Sequence, residues 1–163
     1  LQLKNDHVFQ SAKAIAKGTQ FKMEVKNNTA CYVYVLGMET DGSSYILFFF
    51  PMKSDPTKTK FSPYCGITGY RLFPRGMSMM ADDIGNKDLM AVIVSKDSLD
   101  VFALNQAVNA NRSAGFAQSV NSAVKNESIS GVRFVSTSSG NISFTTNTST
   151  NKAVACIVEI NKQ

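Results

Sequence analysis

The stretch CYVYVLGMETDGSSYILFFFP, residues 31–51, contains two apolar runs joined through an Asp-Gly pair. Residues 32–38 are rich in β-branched and aromatic side chains, which favour strands. Asp41-Gly42 suits a tight turn because this pair tolerates positive φ, and residues 45–50 form the returning strand. Pro51 ends that strand, since proline has no N–H group to donate to the ladder. The stretch therefore predicts a β-hairpin.

Both strands of this hairpin carry apolar residues on both faces, so neither face is freely solvated. Such strands are typical of a sheet that is covered on both sides, and we expect the opposing sheet of a sandwich to be one cover. Residues 89–94 form another continuous apolar run. The residues that we expect in the core are Val33, Val35, Ile46, Phe48, Leu89, Val92 and Val94.

The period of the hydrophobic pattern changes along the chain. Residues 21–25 alternate apolar and charged side chains, which indicates a half-buried strand. After residue 96 the spacing becomes helical and predicts two helices, near residues 98–109 and 113–125. The residues able to cap them are Asp97 or Ser98 for the first helix and Ser113 for the second. Residues 132–136, 141–146 and 153–160 again resemble strands.

The order of strands, two helices and strands argues against a doubly wound parallel sheet, which requires strands and helices to alternate. We predict a mainly β chain: an antiparallel β-sandwich, immunoglobulin-like in general character, with a two-helix insertion at about residues 98–125. A chain of 163 residues with 44% apolar and 18% charged residues is expected to form a single domain, residues 1–163.

The charge and the cysteines exclude several classes of protein. The net charge is +5, but the lysines are widely spread and form no nucleic-acid motif, so we expect no nucleic-acid partner. The longest apolar run is too short to span a bilayer, which takes about 20 residues. Cys31, Cys65 and Cys156 are too far apart in sequence for a zinc signature. A disulfide involving Cys65 is open but not favoured.

Few residues offer catalytic chemistry. His7 is the single histidine, so catalysis by Ser-His-Asp or Cys-His groups is poorly supported, and we expect His7 to be a packing or surface residue. No phosphate-binding or dinucleotide-binding glycine pattern occurs. Asp82-Asp83 has the oxygen ligands that calcium prefers, although a turn is the favoured interpretation. We therefore predict a protein that is not an enzyme and has no metal or cofactor.

Residues 52–69 form a long polar segment punctuated by prolines, and long loops in compact domains are often functional. Basic and aromatic residues occur in this segment and just after it. Arginine and tyrosine are favoured in binding surfaces. The candidate binding residues are Lys58, Lys60, Phe61, Tyr64, Arg71 and Arg75.

Three motifs occur in order between residues 21 and 99: FKMEVKNNTACYVYVLGMETDGSSYILFFFP, then YRLFP, then GNKDLMAVIVSKDSL. This order resembles a bacterial family of domains of unknown function, found in exported proteins and lipoproteins and beside caspase-like and kinase-like modules. The resemblance covers about half of the chain. It implies a non-catalytic β-sandwich accessory domain, and it transfers no functional residues.

These observations favour a binding or assembly module of the bacterial cell envelope, with a protein or polysaccharide partner. Two alternatives stay open: a hydrolase acting on envelope polysaccharide or peptide, and a structural spacer domain. The expected location is exported, periplasmic or cell-surface, including attachment as a lipoprotein, with the cytoplasm as the alternative. Because the chain begins at Leu1 rather than methionine, we expect that an upstream segment has been removed.

Overall fold

The structure, a computed structural model, describes residues 1–48, 54–55, 57–58, 61–67, 71–74, 76–124, 132–145 and 153–163. Its strands, in chain order, are β1 (Gln2–Asn5), β2 (Val8–Gln10), β3 (Gln20–Phe21), β4 (Met23–Val25), β5 (Cys31–Met38), β6 (Ser44–Phe48), β7 (Tyr64–Cys65), β8 (Arg71–Phe73), β9 (Met79–Met80), β10 (Lys87–Ser95), β11 (Val135–Ser136), β12 (Ile142–Ser143) and β13 (Ala153–Asn161). Its helices are α1 (Val101–Ala110), a 3₁₀ turn (Arg112–Ala114) and α2 (Phe116–Val124).

A central sheet of seven strands organises the molecule. Its order is β1-β2-β13-β10-β5-β6, and β7 pairs with the start of β5. All pairs are antiparallel except β2 with β13, which run parallel. The prediction of a mainly β chain with two helices after β10 is therefore confirmed. The sheet is open and mixed, so the antiparallel character throughout and the two-sheet sandwich are not confirmed.

Side chains on the two faces of the sheet enter different cores because successive residues of a strand point in opposite directions. On β5, Tyr34 and Leu36 face α1 and α2, together with Ala91 and Ile93 of β10. Alternate residues of the same two strands enter a second core, formed with short ribbons; the ribbons are β3 with β9, β4 with β8, and β11 with β12. Coverage of both faces explains the continuous apolar runs in the sequence.

The hairpin of β5 and β6 has the predicted strands and turn up to Phe48, while the predicted end of the returning strand, residues 49–51, lies outside the described residues. Gly42 has φ +81°, and Asp41 Oδ1 accepts the backbone N–H of Ser43 at 2.9 Å. Within the sheet, β5 is an interior strand and β6 ends the strand order of the described residues. The helix α1 lies along β6: Asn109 Oδ1 accepts the Ser44 N–H at 2.7 Å, and Asn109 Nδ2 donates to the Ser44 carbonyl at 2.9 Å.

The predicted core residues of the hairpin are buried, but those of β10 are only partly buried. Val33, Val35, Ile46 and Phe48 are buried. Leu89, Val92 and Val94 are only partly buried, and they pack at the margins of the two cores. The fully buried positions of β10 are Ala91 and Ile93, because they lie beneath the helices.

The two helices lie close to their predicted positions, but their first residues differ. Asp100, not Asp97 or Ser98, caps α1; its Oδ1 accepts the N–H groups of Phe102 and Ala103 at 3.1 and 3.0 Å. The N–H of Leu99 donates to the Tyr34 hydroxyl at 2.8 Å, so the chain before the cap is still held to β5. Ser113 lies within the 3₁₀ turn, and α2 begins after Gly115.

Candidate functional site

Four of the six predicted binding residues are described: Lys58, Phe61, Tyr64 and Arg71. Lys60 and Arg75 lie outside the described residues. Tyr64 begins β7 and Arg71 begins β8. The strand β7 pairs with β5, and β8 pairs with β4, so the fold places these two side chains near the start of β5.

The structure brings Tyr64 and Arg71 together with a third residue, Tyr32. Arg71 Nη1 donates to the Tyr64 carbonyl at 3.4 Å. Tyr32 and Tyr64 are directly opposed in the β5–β7 pair, and their rings meet edge to face with centroids 5.5 Å apart. Tyr64 is 47% exposed, while Tyr32 and Arg71 are partly buried. We call Tyr32, Tyr64 and Arg71 the Tyr64 surface.

One asparagine fixes the strand that carries this surface. Asn27, in the connection between β4 and β5, donates from Nδ2 to the carbonyls of Cys65 and Gly66 at 3.3 Å and of Thr29 at 2.9 Å. Its contacts with β7 join residues 38 and 39 positions apart, which no local pattern reveals.

The other two described candidates are less closely tied to the Tyr64 surface. Lys58 Nζ lies 3.1 Å from Asp55 Oδ2 within a local turn, where Thr57 also donates to Asp55. The Thr57 hydroxyl and Lys58 lower the pKa of Asp55, so the carboxylate stays charged and offsets the Lys58 charge. Phe61 is 56% exposed and precedes β7.

Sequence reasoning missed three other residues near these strands. Tyr32 is one, because its aromatic partner comes from a distant strand. Ile67 follows β7 and is 67% exposed, and Leu72 of β8 is 43% exposed. Exposed apolar side chains are a common feature of interaction surfaces. Leu72 follows Arg71 on β8, so its side chain points to the opposite face of that strand.

Two cysteines lie beside this surface. Cys31 and Cys65 are directly opposed in the β5–β7 pair, and both are buried with free thiols. Burial raises the pKa of Cys31 to about 11, the neighbouring Cys65 adds to the rise, and Arg71 opposes it. Burial also raises the pKa of Cys65. Both thiols are therefore protonated at neutral pH, whereas a catalytic cysteine requires a thiolate.

His7 has contacts that hold the fold together. Its Nε2 lies 2.6 Å from Asn121 Nδ2 on α2, and its backbone carbonyl accepts the Ile157 N–H at 2.8 Å. The residue thus joins the turn between β1 and β2 to the helix layer and to β13. This agrees with a packing histidine.

Asp82 forms a turn and an ion pair. Its Oδ1 accepts the Ile84 N–H at 2.9 Å and the Lys162 ammonium at 2.5 Å. The hydrogen bond from Lys162 is the main cause that lowers the pKa of Asp82. Within the described ranges, no group of three or more His, Cys, Asp and Glu side chains is placed to hold a metal ion.

An open groove of about 490 Å³ runs between the start of α1 and the end of α2. Ala103, Leu104 and Ala107 line one side, and Ala123 and Val124 line the other. Asp97 and Asp100 are at one end, where Asp100 is already used as the helix cap. The groove shares no residue with the Tyr64 surface.

No helix in the described part of the chain is long and apolar enough to cross a bilayer.

Comparison with known proteins gave no match: no protein-family model fits the chain, and no curated protein or solved structure is significantly similar to it. The family resemblance of residues 21–99 therefore stays a prediction.

Proposed function

We propose that this chain is a non-catalytic binding module of the bacterial cell envelope, exported to the periplasm or the cell surface. It binds an acidic protein surface through Tyr64, Arg71 and their exposed neighbours. The envelope assignment is supported by the resemblance of residues 21–99 to domains found in exported proteins and lipoproteins.

The observation that carries the proposal is the placement of Arg71 against Tyr64 on strands anchored to the central sheet. Tyrosine and arginine contribute much of the energy at protein interfaces. Binding also costs less when the side chains are already ordered. Asn27 holds β7, the Tyr32 ring packs on Tyr64, and Arg71 donates to the Tyr64 backbone. These contacts orient the surface before a partner arrives.

The charge of the chain favours an acidic partner. With a net charge of +5, the protein attracts acidic surfaces over distances of about 8 Å at physiological ionic strength. The affinity should therefore fall as salt is added. The exposed ring of Tyr64 provides apolar area, so part of the affinity should survive high salt.

A double variant tests this surface. Tyr64→Ser combined with Arg71→Ser is compared with wild type for capture of envelope proteins, and the captured partner is identified and titrated in purified form. We expect the double variant to bind at least about tenfold more weakly, since hot-spot residues contribute about 2 kcal/mol or more.

The matched control is Tyr45→Ser combined with Arg112→Ser, which removes the same residue types elsewhere. Tyr45 is 38% exposed and Arg112 pairs with Asp41 at 3.7 Å. Equal loss of binding in both double variants, or no loss in either, would reject the Tyr64 surface. An acidic polysaccharide as the captured partner would reject the protein partner, and an absence of any partner would favour a spacer domain.

A further inference from the structure

We propose that Cys31 and Cys65 are an oxidisable pair that forms a disulfide between β5 and β7. Strand pairing carries this inference. The two residues are directly opposed in the antiparallel register, and both side chains enter the same core beneath the sheet. The proposal is independent of the proposed partner.

The register places the two α-carbons at a distance that a disulfide can span. The Val33 N–H donates to the Pro63 carbonyl at 3.0 Å. Val33 and Pro63 are therefore a hydrogen-bonded pair of the antiparallel β5–β7 ladder. Two residues further along, Cys31 and Cys65 form the same type of pair. Such pairs have α-carbons about 5.5 Å apart. Disulfides span roughly 4.4–6.8 Å between α-carbons.

Cys156 is too far away to compete. It lies on β13 opposite Val92, which is itself opposite Val35 on β5. Cys156 is therefore two strands away from β5. Along the strand direction it is level with Val35, which lies four residues beyond Cys31. At about 4.8 Å per strand and 3.4 Å per residue, Cys31 and Cys156 are separated by roughly 17 Å. The fold thus selects one pair among the three pairs that three cysteines allow.

The reaction requires an external oxidant, and the class that we name is a disulfide, either a small molecule or a disulfide oxidoreductase. One cysteine loses its proton and its sulfur attacks the oxidant, which releases one thiolate and leaves a mixed disulfide. The second cysteine then loses its proton and attacks the mixed disulfide. The protein loses two hydrogens, the oxidant is reduced to two thiols, and the new S–S bond joins β7 to β5.

Burial determines when this reaction can occur. Cys65 is fully buried and Cys31 is 6% exposed, so an oxidant reaches them only when β7 opens or while the chain folds. The strand β7 has two residues, and short edge elements open at low free-energy cost. We therefore expect fast oxidation during refolding and slow oxidation of the folded protein.

The experiment uses Cys156→Ser, which retains the pair, and Cys31→Ser as the matched variant. Each is unfolded, reduced, refolded with oxidised and reduced glutathione, and then denatured with the remaining thiols alkylated for mass measurement. Cys156→Ser should lose two mass units and both free thiols, and its thermal midpoint should rise relative to the reduced form. The Cys31→Ser variant should form no internal disulfide.

Peptide mapping decides the outcome in wild type. A Cys31–Cys65 peptide supports the proposal. Three alkylated cysteines after refolding, or a linkage that includes Cys156, overturns it. An internal disulfide in Cys31→Ser also overturns it. Failure of a serine variant to refold does not affect this readout, because the wild-type map is obtained separately.

Discussion

At the scale of single residues, Phe48 and Phe61 illustrate the two uses of phenylalanine in this chain. Phe48 is 3% exposed, and its ring lies 6.0 Å from that of Phe73 in the core between β5 and the ribbons. Phe61 is 56% exposed and precedes the Tyr64 surface. The alternation of apolar residues in the sequence predicted that Phe48 is buried, and the position of Phe61 in a polar segment predicted that Phe61 is exposed.

Truncation of Phe48 should be costly. Phe48→Ala removes a buried ring and leaves a cavity, so the free energy of unfolding should fall by about 3–5 kcal/mol. Urea denaturation followed by circular dichroism measures this change. The control Phe61→Ala should change stability by less than about 0.5 kcal/mol, as exposed substitutions do. Equal effects of the two substitutions would contradict the assigned core.

At the scale of elements, the helices α1 and α2 follow from short-range signals, whereas the start of α1 also depends on a long-range contact. Val101 and Val108 on α1, and Phe116, Val120 and Val124 on α2, recur at helical spacing and are buried. The first residue of α1 is decided differently. Asp100 caps the helix while the preceding Leu99 N–H is held by Tyr34 of β5. The sequence predicted Asp97 or Ser98 as the cap, whereas Asp100, two or three residues later, is the one used.

The cap assignment is tested by comparing two aspartates. Asp100→Ala removes the acceptor for the Phe102 and Ala103 N–H groups and should lower the free energy of unfolding by about 1 kcal/mol. Asp97→Ala leaves both hydrogen bonds intact and should change stability by much less. Thermal or urea unfolding measures both variants under the same buffer. A larger loss for Asp97→Ala would show that the helix begins earlier.

At the scale of the whole molecule, Lys162 links the last strand to the connection before β10. Its side chain is fully buried, and its ammonium donates to Asp82 Oδ1, Asp88 Oδ1 and the Ile84 carbonyl at 2.5–2.7 Å. Burial opposes the charge of Lys162, yet the hydrogen bonds to both aspartates raise its pKa. The cluster joins residues that lie 74–80 positions apart.

This cluster predicts a pH dependence of stability. The folded-state pKa of Asp82 lies below its unfolded value of about 3.9, so its pair with Lys162 stabilises the fold above that pH. The contribution is lost as the pH falls through the folded-state pKa. Because Asp82 is 52% exposed, the loss should be below about 1 kcal/mol.

Urea unfolding of wild type and Asp82→Asn between pH 6 and roughly pH 2.5 measures this contribution. The stability of Asp82→Asn should fall less steeply than that of wild type as the pH is lowered. Asp83→Asn is the matched control, since Asp83 is exposed and its side chain lies outside the Lys162 cluster. The same change in slope for both variants would contradict the assignment.

Local patterns in the sequence are sufficient to predict several of the elements. The hairpin of β5 and β6 follows from two apolar runs and Asp41-Gly42, and β10 follows from one continuous apolar run. The helices follow from a change of period after residue 96. In each case the signal lies within one or two turns or strands, where backbone propensity and side-chain periodicity act directly.

The order of the strands and the contacts between distant residues become evident only in the folded chain. The parallel pairing of β2 with β13, the two helices over one sheet face, and the opposition of Cys31 to Cys65 are not encoded in any local period. The same holds for Arg71 against Tyr64 and for the buried ammonium of Lys162. Each depends on burial summed over the whole chain, because apolar area is non-directional and many strand orders satisfy one local pattern.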